Sequence, residues 1–320
     1  MTNDDGHEPR RPREVGPEPL WNESMYVFWR DESARVSGWT RIAQQPNAGA
    51  TSTFACVALH DDGGRFRMLD LGDYRDGYRD HGRWSGLGQQ WWWEDDVLRI
   101  SHQSDDCSYD LSWSGFYEPV DFHALMATFV EDLGEINAHH VEQSGSVSGR
   151  VHIGDREIDI DALGHRDHSW GHRDTGSMLT SRWMIGTVGP DLSWSGVTVL
   201  KSDGALIRTG FVVRGGEVTP MTGVEVNLDT KEDGLSYVRG EATFGLVDGS
   251  SLAVTLTDVT PGGILEVPPW LGLEASAVAT IEGRHGVGNC EVSNNITGGS
   301  TAPPVLVTGG ATTNGLAGFE

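Results

Sequence analysis

The sequence predicts an all-β protein whose antiparallel strands form closed or nearly closed sheets. Apolar and polar residues alternate along most of the 320 residues, which is the period of a β-strand. Glycine-containing turns separate several of these alternating segments, as they do in hairpins. Only one segment has helical periodicity, and a protein made mainly of hairpins must close its sheets to hide their edges.

The composition excludes several classes of protein. The chain carries 47 acidic and 23 basic residues, a formal net charge of −24, so we expect no cationic patch and no nucleic-acid partner. No run of 18 apolar residues occurs, so we expect no membrane span. The N-terminus lacks the apolar core of a secretory signal, and Cys56, Cys107 and Cys290 have no CxxC spacing. These features favour the reducing cytoplasm.

The chain divides into a leader and two domains. Residues 1–20 are predicted to be a flexible leader, because charge and proline leave little surface to bury. Nine of the 12 tryptophans lie at or before Trp170, whereas the chain after about residue 195 is richer in Gly, Val and Thr. This shift predicts an N-terminal β domain over residues 21–165 and a C-terminal β domain over residues 166–320.

Four hairpins are predicted from alternating segments on either side of a turn: Phe54–Leu69 around Asp61–Gly64, Val147–Ile160 around Gly154-Asp155, Phe211–Val218 around Gly215-Gly216, and Phe244–Leu256 around Asp248-Gly249. The helical segment is Val120–Leu133. Its apolar residues recur at i, i+3, i+4, i+7, i+8 and i+11, and Gly134 follows it. One main helix is therefore predicted near residues 120–133.

Histidine is concentrated in the middle of the chain. Six of the 12 histidines fall within 34 residues: His139, His140, His152, His165, His168 and His172. In an extended segment, alternation would place one set on one face (Arg166, His168, Trp170, His172, Asp174) and a second set on the other (Asp167, Ser169, Arg173). Charged neighbours set the pKa of an imidazole and orient its ring, as acid–base chemistry requires. The alternative interpretation is a satisfied polar network where two domains meet.

A metal site is a less favoured interpretation of the same histidines. His165, His168 and His172 could ligate zinc or iron, but arginines are interleaved with them, and a fixed positive charge repels a cation at close range. We predict that the protein needs no metal and no cofactor. The sequence also contains no nucleophile elbow, dinucleotide fingerprint, Walker A motif or HExxH motif.

The run Trp91-Trp92-Trp93 is a second candidate binding feature. Consecutive strand residues face both sides of a sheet, so one of these rings could line a cavity. Aromatic walls suit a flat unsaturated ligand and stabilise a developing carbocation. The alternative is ordinary core packing.

The segment Gly164–Gly171, which reads GHRDHSWG, resembles the D-H-[NS]-W-G signature of the hydroxyneurosporene synthase (carotenoid 1,2-hydratase) superfamily. This group includes kievitone hydratase-like proteins and fungal decalin-forming Diels–Alderases, and the likeness is greatest to uncharacterised actinobacterial members. As in that superfamily, a hairpin leads into the motif, and a Gly-x-Gly-x-x-Glu pattern occurs late in the chain, at Gly286–Glu291. The sequence departs from the pattern at Ser169, where Asn is common, and in its additional His172 and Arg173.

The resemblance implies two lipocalin-like antiparallel β domains with a ligand near their interface. It also implies cofactor-free chemistry: addition of water to a C=C bond, an elimination or a pericyclic rearrangement on terpenoids or polyketides. The matching motif positions make His168 the first candidate for the proton donor, with Asp167 as its partner. Further catalytic candidates are His140, Glu142 and Glu291. The candidate substrate-binding residues are Trp170, Arg166, His172, Arg173, Trp92 and Trp183.

The predicted function is a cofactor-independent hydratase, dehydratase or isomerase acting on a hydrophobic, unsaturated small molecule. The alternative is a lipocalin-like binding protein that performs no chemistry; ionisable groups within reach of a buried pocket would favour the enzyme. Since alternation separates Asp167 from His168, we expect Gly164 and Gly171 to permit a bend or bulge. In a straight strand only one of the two residues faces the pocket, and His168 is then preferred.

Overall fold

The computed structural model describes residues 8, 10–61, 64–122, 125, 139–174, 176, 178–231, 236–267 and 270–295. Nearly all of these residues lie in antiparallel strands, which confirms the predicted fold class. The strands form a curled N-terminal sheet and a closed C-terminal barrel. Within the described residues, no helix has the length and apolar character that crossing a bilayer requires.

The N-terminal sheet has 11 strands: β1 (Trp21–Asp31), β2 (Val36–Gln45), β3 (Ala50–Leu59), β4 (Arg65–Asp73), β5 (Arg83–Gly86), β6 (Gln89–Glu94), β7 (Val97–Gln103), β8 (Cys107–Gly115), β9 (Val120–Asp121), β10 (His139–Ile153) and β11 (Arg156–His172). Their order is β4-β3-β2-β1-β11-β10-β8-β7-β6-β5, and β9 pairs with β10. Short 3₁₀ turns lie at Pro46–Ala48 and Asp80–Gly82. The long β10–β11 hairpin therefore lies in the middle of the sheet, beside β1.

The C-terminal barrel follows the chain order of its strands: β12 (Met178–Thr187), β13 (Leu192–Lys201), β14 (Leu206–Arg214), β15 (Glu217–Thr230), β16 (Tyr237–Leu246), β17 (Ser251–Val267), β18 (Trp270–Ile281) and β19 (Arg284–Asn295). Pairing of β12 with β19 closes it. Buried apolar side chains, including Trp194, Phe244 and Leu256, fill its interior.

Strand pairing confirms the four predicted hairpins, which are β3–β4, β10–β11, β14–β15 and β16–β17. In the second of these, Ile153 pairs with Arg156 across the turn. Gly154 in that turn has a φ of 60°, a left-handed conformation that glycine adopts without steric cost. Local turn chemistry was therefore a sufficient guide to these elements.

The predicted helix over residues 120–133 lies largely outside the described part of the chain. Its first two residues differ from the prediction, because Val120 and Asp121 form β9 and pair with Glu142 and Val141 of β10. Residues 123–124 and 126–133 belong to the undescribed part.

The described part of the leader, predicted to be a flexible segment, makes contacts with the sheet. Asn47 donates hydrogen bonds to the backbone oxygens of Gly16 and Glu18, at 2.8 and 2.7 Å. The guanidinium of Arg13 lies 4.9 Å from the ring centre of Trp170. Composition alone indicated little to bury here, but these residues contact Asn47, about 30 positions away, and Trp170, more than a hundred positions away.

The boundary between the two β units also needs correction. The predicted division between residues 165 and 166 falls inside β11, which stays paired with β1 up to His172. The chain passes from the sheet to the barrel between His172 and Met178. The pairing with β1, which is distant in sequence, keeps residues 166–172 in the N-terminal sheet.

The sheet packs against the outside of the barrel through an apolar cluster with polar links. Rings of the sheet, including Phe28, Trp39 and Phe54, cluster with Ile185 and Val287 of the barrel. The indole of Trp39 donates a hydrogen bond of 3.0 Å to Asn289 Oδ1. The interface therefore combines apolar burial with hydrogen bonds that fix the relative position of the two units.

Arg30 is the most extensive polar link between them. Its side chain is fully buried and forms an ion pair with Asp258 at 2.8 Å. It also donates hydrogen bonds to Thr260 at 3.1 Å and Ser276 at 3.2 Å, and it pairs with Glu32. One guanidinium from β1 thus binds β17, β18 and the turn that joins β1 to β2.

We expect Arg30→Ala to lower the free energy of unfolding by about 2–3 kcal/mol, because it removes several charge-assisted hydrogen bonds. The control is Arg150→Ala, whose ion pair with Asp159 at 2.8 Å is exposed and should contribute little to stability. Urea denaturation of both variants measures the difference. Equal losses in the two variants would contradict this role of Arg30.

Candidate active site

Four side chains form a row across the face of the N-terminal sheet that packs on the barrel. Asp167 of β11 lies opposite Tyr26 of β1 and opposite Glu142 of β10, and Tyr26 lies opposite Arg41 of β2. Directly opposite residues share a sheet face, with Cβ atoms about 5 Å apart. We call Arg41, Tyr26, Asp167 and Glu142 the interface row.

β11 is straight, which corrects the expectation of a bend or bulge near Asp167. Its pairing with β1 and with β10 runs without a register shift from Gly164 to Trp170. A Cβ on Gly164 would lie 2.2 Å from the backbone oxygen of Phe28, so this glycine permits close strand approach. Strict alternation therefore separates Asp167 from His168, and it is Asp167 that faces the barrel.

The carboxyl of Asp167 is poised to exchange a proton near neutral pH. Burial raises its pKa, the charge of Glu142 raises it further, and Arg173 and Arg41 oppose the change, leaving the pKa at about 7. Within the described part of the chain, no side chain is hydrogen-bonded to this carboxyl, and the residue keeps partial accessibility. Asp167 is therefore available to a bound molecule.

Glu142, beside Asp167, has the opposite tendency. Burial raises its pKa, but the hydrogen bond from His165 and the charges of His140 and His165 outweigh burial and hold the pKa below its usual value. His165 Nε2 lies 3.1 Å from Glu142, His140 Nε2 lies 3.3 Å from it, and His165 Nδ1 bonds Ser144 at 2.9 Å. Adjacent carboxyl groups with separated pKa values are the usual arrangement of an acid and a base.

The barrel contributes a second pair of acidic residues to this interface. Tyr26 donates a 3.0 Å hydrogen bond to Glu274, and Asn289 donates to the same oxygen at 2.8 Å. Burial raises the pKa of Glu274 well above its usual value, and the charge of Glu291 raises it further. Burial therefore favours the neutral form of Glu274, and it favours the neutral form of Tyr26 as well, because it raises the pKa of that phenol.

Trp183 provides an aromatic wall beside the interface row. It lies opposite Glu291 in the pairing of β12 with β19. Its ring centre lies 5.5 Å from Tyr26, 6.1 Å from His165 and 6.5 Å from His140. The structure thus brings together six of the predicted residues on the barrel side of the sheet: Asp167, Glu142, His140, Glu291, Arg173 and Trp183.

His168 lies on the opposite face of the sheet, in a separate polar group. Its Nδ1 is 3.1 Å from Glu8 and its Nε2 is 3.0 Å from Glu23. Arg166 makes two 2.6 Å hydrogen bonds to Glu8, and Arg79 pairs with Glu23. We call Glu8, Glu23, Arg79, Arg166 and His168 the His168 cluster.

The His168 cluster is electrostatically satisfied. Burial lowers the pKa of His168, but hydrogen bonds to Glu23 and Glu8 raise it above the usual value overall. For Glu8, burial raises the pKa, while the charge of Arg166 and the bonds of His168 and Arg166 bring it to about 2. Both imidazole nitrogens therefore donate to carboxylates, an arrangement that suits a structural role.

The remaining predicted residues lie on this second side or farther away. Trp170 contacts His168, with ring centres 5.0 Å apart, and stacks on His139 at 4.9 Å. His172 ends β11, opposite Trp21 of β1. Trp92 lies on β6 beneath the guanidinium of Arg83, 4.7 Å from its ring centre. Alternation with the buried Trp91 places Trp92 on the outer face of the sheet.

Several site residues were missed in the sequence: Glu8, Glu23, Tyr26, Arg41, Arg79, Glu274 and Asn289. A signal existed for two of them. Glu23 is the single charge in the segment WNESMYVFW, and Arg41 is the single charge in VSGWTRIAQQ. A charge inside a buried strand is a candidate for function or for a buried ion pair. Among the described residues, no group of three or more His, Cys, Asp or Glu side chains could hold a metal ion.

The raised pKa of Asp167 predicts that Asp167→Asn stabilises the protein at alkaline pH. The folded protein holds the proton of Asp167 more tightly than the unfolded chain does. The contribution of this protonated carboxyl to the free energy of unfolding is therefore complete below pH 3.8 and is lost as the pH rises to about 7. We expect the variant to gain at least about 1 kcal/mol at pH 8, since one pKa unit corresponds to about 1.4 kcal/mol. Asp161→Asn, an exposed change in the same strand, is the control. Urea denaturation of Asp167→Asn that gives a lower stability than wild type at pH 8 would contradict the raised pKa.

The His168 cluster generates a prediction for acidic pH. The pKa of Glu8 falls from 4.5 to about 2 on folding, so its stabilisation is present above pH 4.5 and disappears as the pH falls through about 2. Glu8→Gln leaves a buried guanidinium and imidazolium with one anion fewer, and we expect it to lose roughly 3–5 kcal/mol at pH 7. The difference from wild type should shrink below pH 4. Urea denaturation across pH 3–7 tests this, with the exposed Glu14→Gln as control; a pH-independent difference would disprove it.

Comparison with known proteins shows what the chain resembles. A search of curated proteins finds no match. A protein assigned as AttH from Nitrosomonas europaea has a similar structure, with 12% sequence identity, a TM-score of 0.62 and a match that covers 87% of this chain and 94% of that one. Kievitone hydratase from Nectria haematococca has 9% identity and a TM-score of 0.57, and the match covers 86% of this chain and 88% of that one. CghA with Sch210972 has 12% identity and a TM-score of 0.58, and the match covers 87% of this chain and 89% of that one. At these identities the likeness is one of fold, and the kievitone hydratase structure agrees with the resemblance of the sequence motif.

A family model covers almost the whole described fold. It matches residues 6–296, which include the N-terminal sheet, the interface row and the complete barrel. The chain belongs to the family described as Domain of unknown function (DUF7064).

Proposed function

We propose that this protein is a cofactor-independent hydratase, dehydratase or isomerase that acts on an unsaturated terpenoid- or polyketide-like small molecule. The observation that carries the proposal is the carboxyl pair Asp167–Glu142. The two groups are cross-strand neighbours facing the barrel, and their pKa values are separated, one to about 7 and the other below its usual value. One can therefore donate a proton while the other accepts one.

Protonation of the substrate is the first step of the proposed mechanism. Neutral Asp167 donates its proton to an alkene carbon in hydration, or to a leaving hydroxyl in dehydration. The resulting cation lies beside the Trp183 and Tyr26 rings, whose π faces stabilise positive charge. The role of proton donor therefore passes from His168, whose two nitrogens are occupied by carboxylates, to Asp167.

Proton return completes the cycle. In hydration, water adds to the cation and its proton passes to Glu142, which His165 and His140 hold in the ionised state. Transfer of this proton back to Asp167 restores both groups. In dehydration, Glu142 removes a proton from the carbon next to the cation and a C=C bond forms. Isomerisation needs the same two transfers at different carbons, and none of the steps requires an electron acceptor.

Two further observations support an enzyme. The kievitone hydratase structure, whose name denotes addition of water, has the same fold. The alternative is a lipocalin-like carrier of a hydrophobic ligand, which could use an apolar wall. An interface with a neutral Asp, an ionised Glu and a protonated Glu274 costs stability that a carrier has no use for.

We expect Asp167→Asn to lower kcat/KM by about 10²- to 10⁴-fold, the usual effect of removing a general acid. The wild-type rate should fall above pH about 7, as Asp167 loses its proton, and should fall on the acid side only below the usual Glu pKa of 4.5. The assay incubates the protein with a panel of terpenoid alkenes, polyene polyketides and their hydroxylated forms in H₂¹⁸O, and mass spectrometry detects ¹⁸O gain or loss of water.

The matched control for this experiment is His168→Ala. It should melt earlier, because its two buried carboxylates lose their partner, yet the folded fraction should retain turnover. If panel members bind but none changes mass or double-bond position, the protein is a carrier. If Asp167→Asn turns over at the wild-type rate, another group supplies the proton.

A further inference from the structure

Two arginines lie next to the proposed proton donor without a carboxylate partner. Arg41 belongs to the interface row, and Arg173 follows the end of β11. NH1 of Arg41 donates to Ser52 Oγ at 3.0 Å, and NH1 of Arg173 donates to Ser24 Oγ at 3.2 Å. Among the described residues, no carboxylate oxygen lies within 4.0 Å of either guanidinium.

Three other arginines of the chain are paired with carboxylates. Arg30 is paired with Asp258, Arg79 with Glu23 and Arg166 with Glu8. An enclosed cation normally has an anion in contact, because removal from water is otherwise expensive. Each guanidinium carries five N–H donors, and serine hydroxyls engage few of those of Arg41 and Arg173.

The surrounding charges do not supply the missing anion. Asp167 and Glu291 are the acidic groups whose charges act on both arginines, but neither is in contact with them. Burial lowers the pKa of Arg41 to about 10, and repulsion from Arg173 contributes to the change. Two half-buried guanidinium groups thus repel each other, and a bound anion would relieve that repulsion.

Their placement relates this cation pair to the proposed chemistry. Arg41 is two strands from Asp167 in the same row, a separation of roughly 10 Å between Cα atoms. Ser24, which holds Arg173, lies opposite Ser169, and their hydroxyls are 2.9 Å apart. Ser169 is the next residue after Asp167 on that face, so Arg173 lies near Asp167 through this serine pair, and Arg41 lies across Tyr26 from it.

We propose that Arg41 and Arg173 bind an anionic group of the substrate, a carboxylate or an acidic enol, while Asp167 acts on a C=C bond or hydroxyl a few bonds away. The substrate class is then an acidic unsaturated molecule with an apolar skeleton. Guanidinium groups suit this task because their planar N–H pairs match the two oxygens of a carboxylate. This inference rests on the proposed function for the reacting group, but the anion site can be tested without turnover.

The test compares two probes with the same apolar skeleton, the anion farnesoic acid and its uncharged methyl ester, by tryptophan-fluorescence titration at pH 8. We expect wild-type protein to bind the acid at least about tenfold more tightly, which corresponds to a Kd ratio worth about 1.4 kcal/mol. Arg41→Gln and Arg173→Gln should each abolish this preference and leave ester binding unchanged. Arg150→Gln, an exposed arginine of β10, should retain it, and far-UV circular dichroism checks each fold.

Equal binding of acid and ester by wild type, or no binding of the acid at millimolar concentration, would overturn the proposal. So would a preference that survives in Arg41→Gln. If Arg173→Gln does not fold, Arg41→Gln alone decides, with Arg41→Lys expected to retain part of the preference. Asp167→Asn should still prefer the acid over the ester. If the wild-type protein prefers the acid but shows no ¹⁸O gain and no loss of water, it is an acid-binding carrier, and only the proposed chemistry is refuted.

Discussion

The unbroken antiparallel pairing of β11 between β1 and β10 is the constraint on which the two polar layers of this protein depend. Because no bulge interrupts it, each residue from Gly164 to Trp170 faces either the barrel or the interior of the N-terminal sheet. A motif that is contiguous in sequence is therefore divided between two environments. Asp167 meets the interface row, and His168 meets the His168 cluster.

The two layers differ in how their charges are balanced. In the His168 cluster, cations and carboxylates are in direct contact, and the pKa changes of Glu8 and His168 favour the charged forms. At the barrel interface, burial favours the neutral forms of Asp167 and Glu274. The first arrangement stabilises the charged forms by direct pairing, whereas the second leaves carboxyl groups whose pKa values are raised by desolvation. The sheet thus separates a layer of paired charges from a layer of carboxyl groups with shifted pKa values.

The N-terminal segment takes part in the stabilising layer. Glu8 is far from His168 in sequence, yet its carboxylate closes the cluster between Arg166 and His168. Aromatic rings around the cluster, such as Trp84, whose centre lies 5.5 Å from His168, exclude water from these ion pairs. A short polar segment can therefore contribute to a core when its charges meet complementary buried charges.

The sequence by itself determined the β class, the hairpins and the neighbourhood of the site, because strand alternation and turn residues act over a few positions. It also identified Asp167, Glu142, Glu291 and Trp183 as candidates. Only the tertiary structure decided which face of β11 meets the barrel and that β11 continues to His172. It also decided that Arg41 belongs to the interface row and Glu8 to the His168 cluster. Those outcomes depend on pairing between distant strands and on burial, which shifts proton affinities according to surroundings that no local pattern encodes.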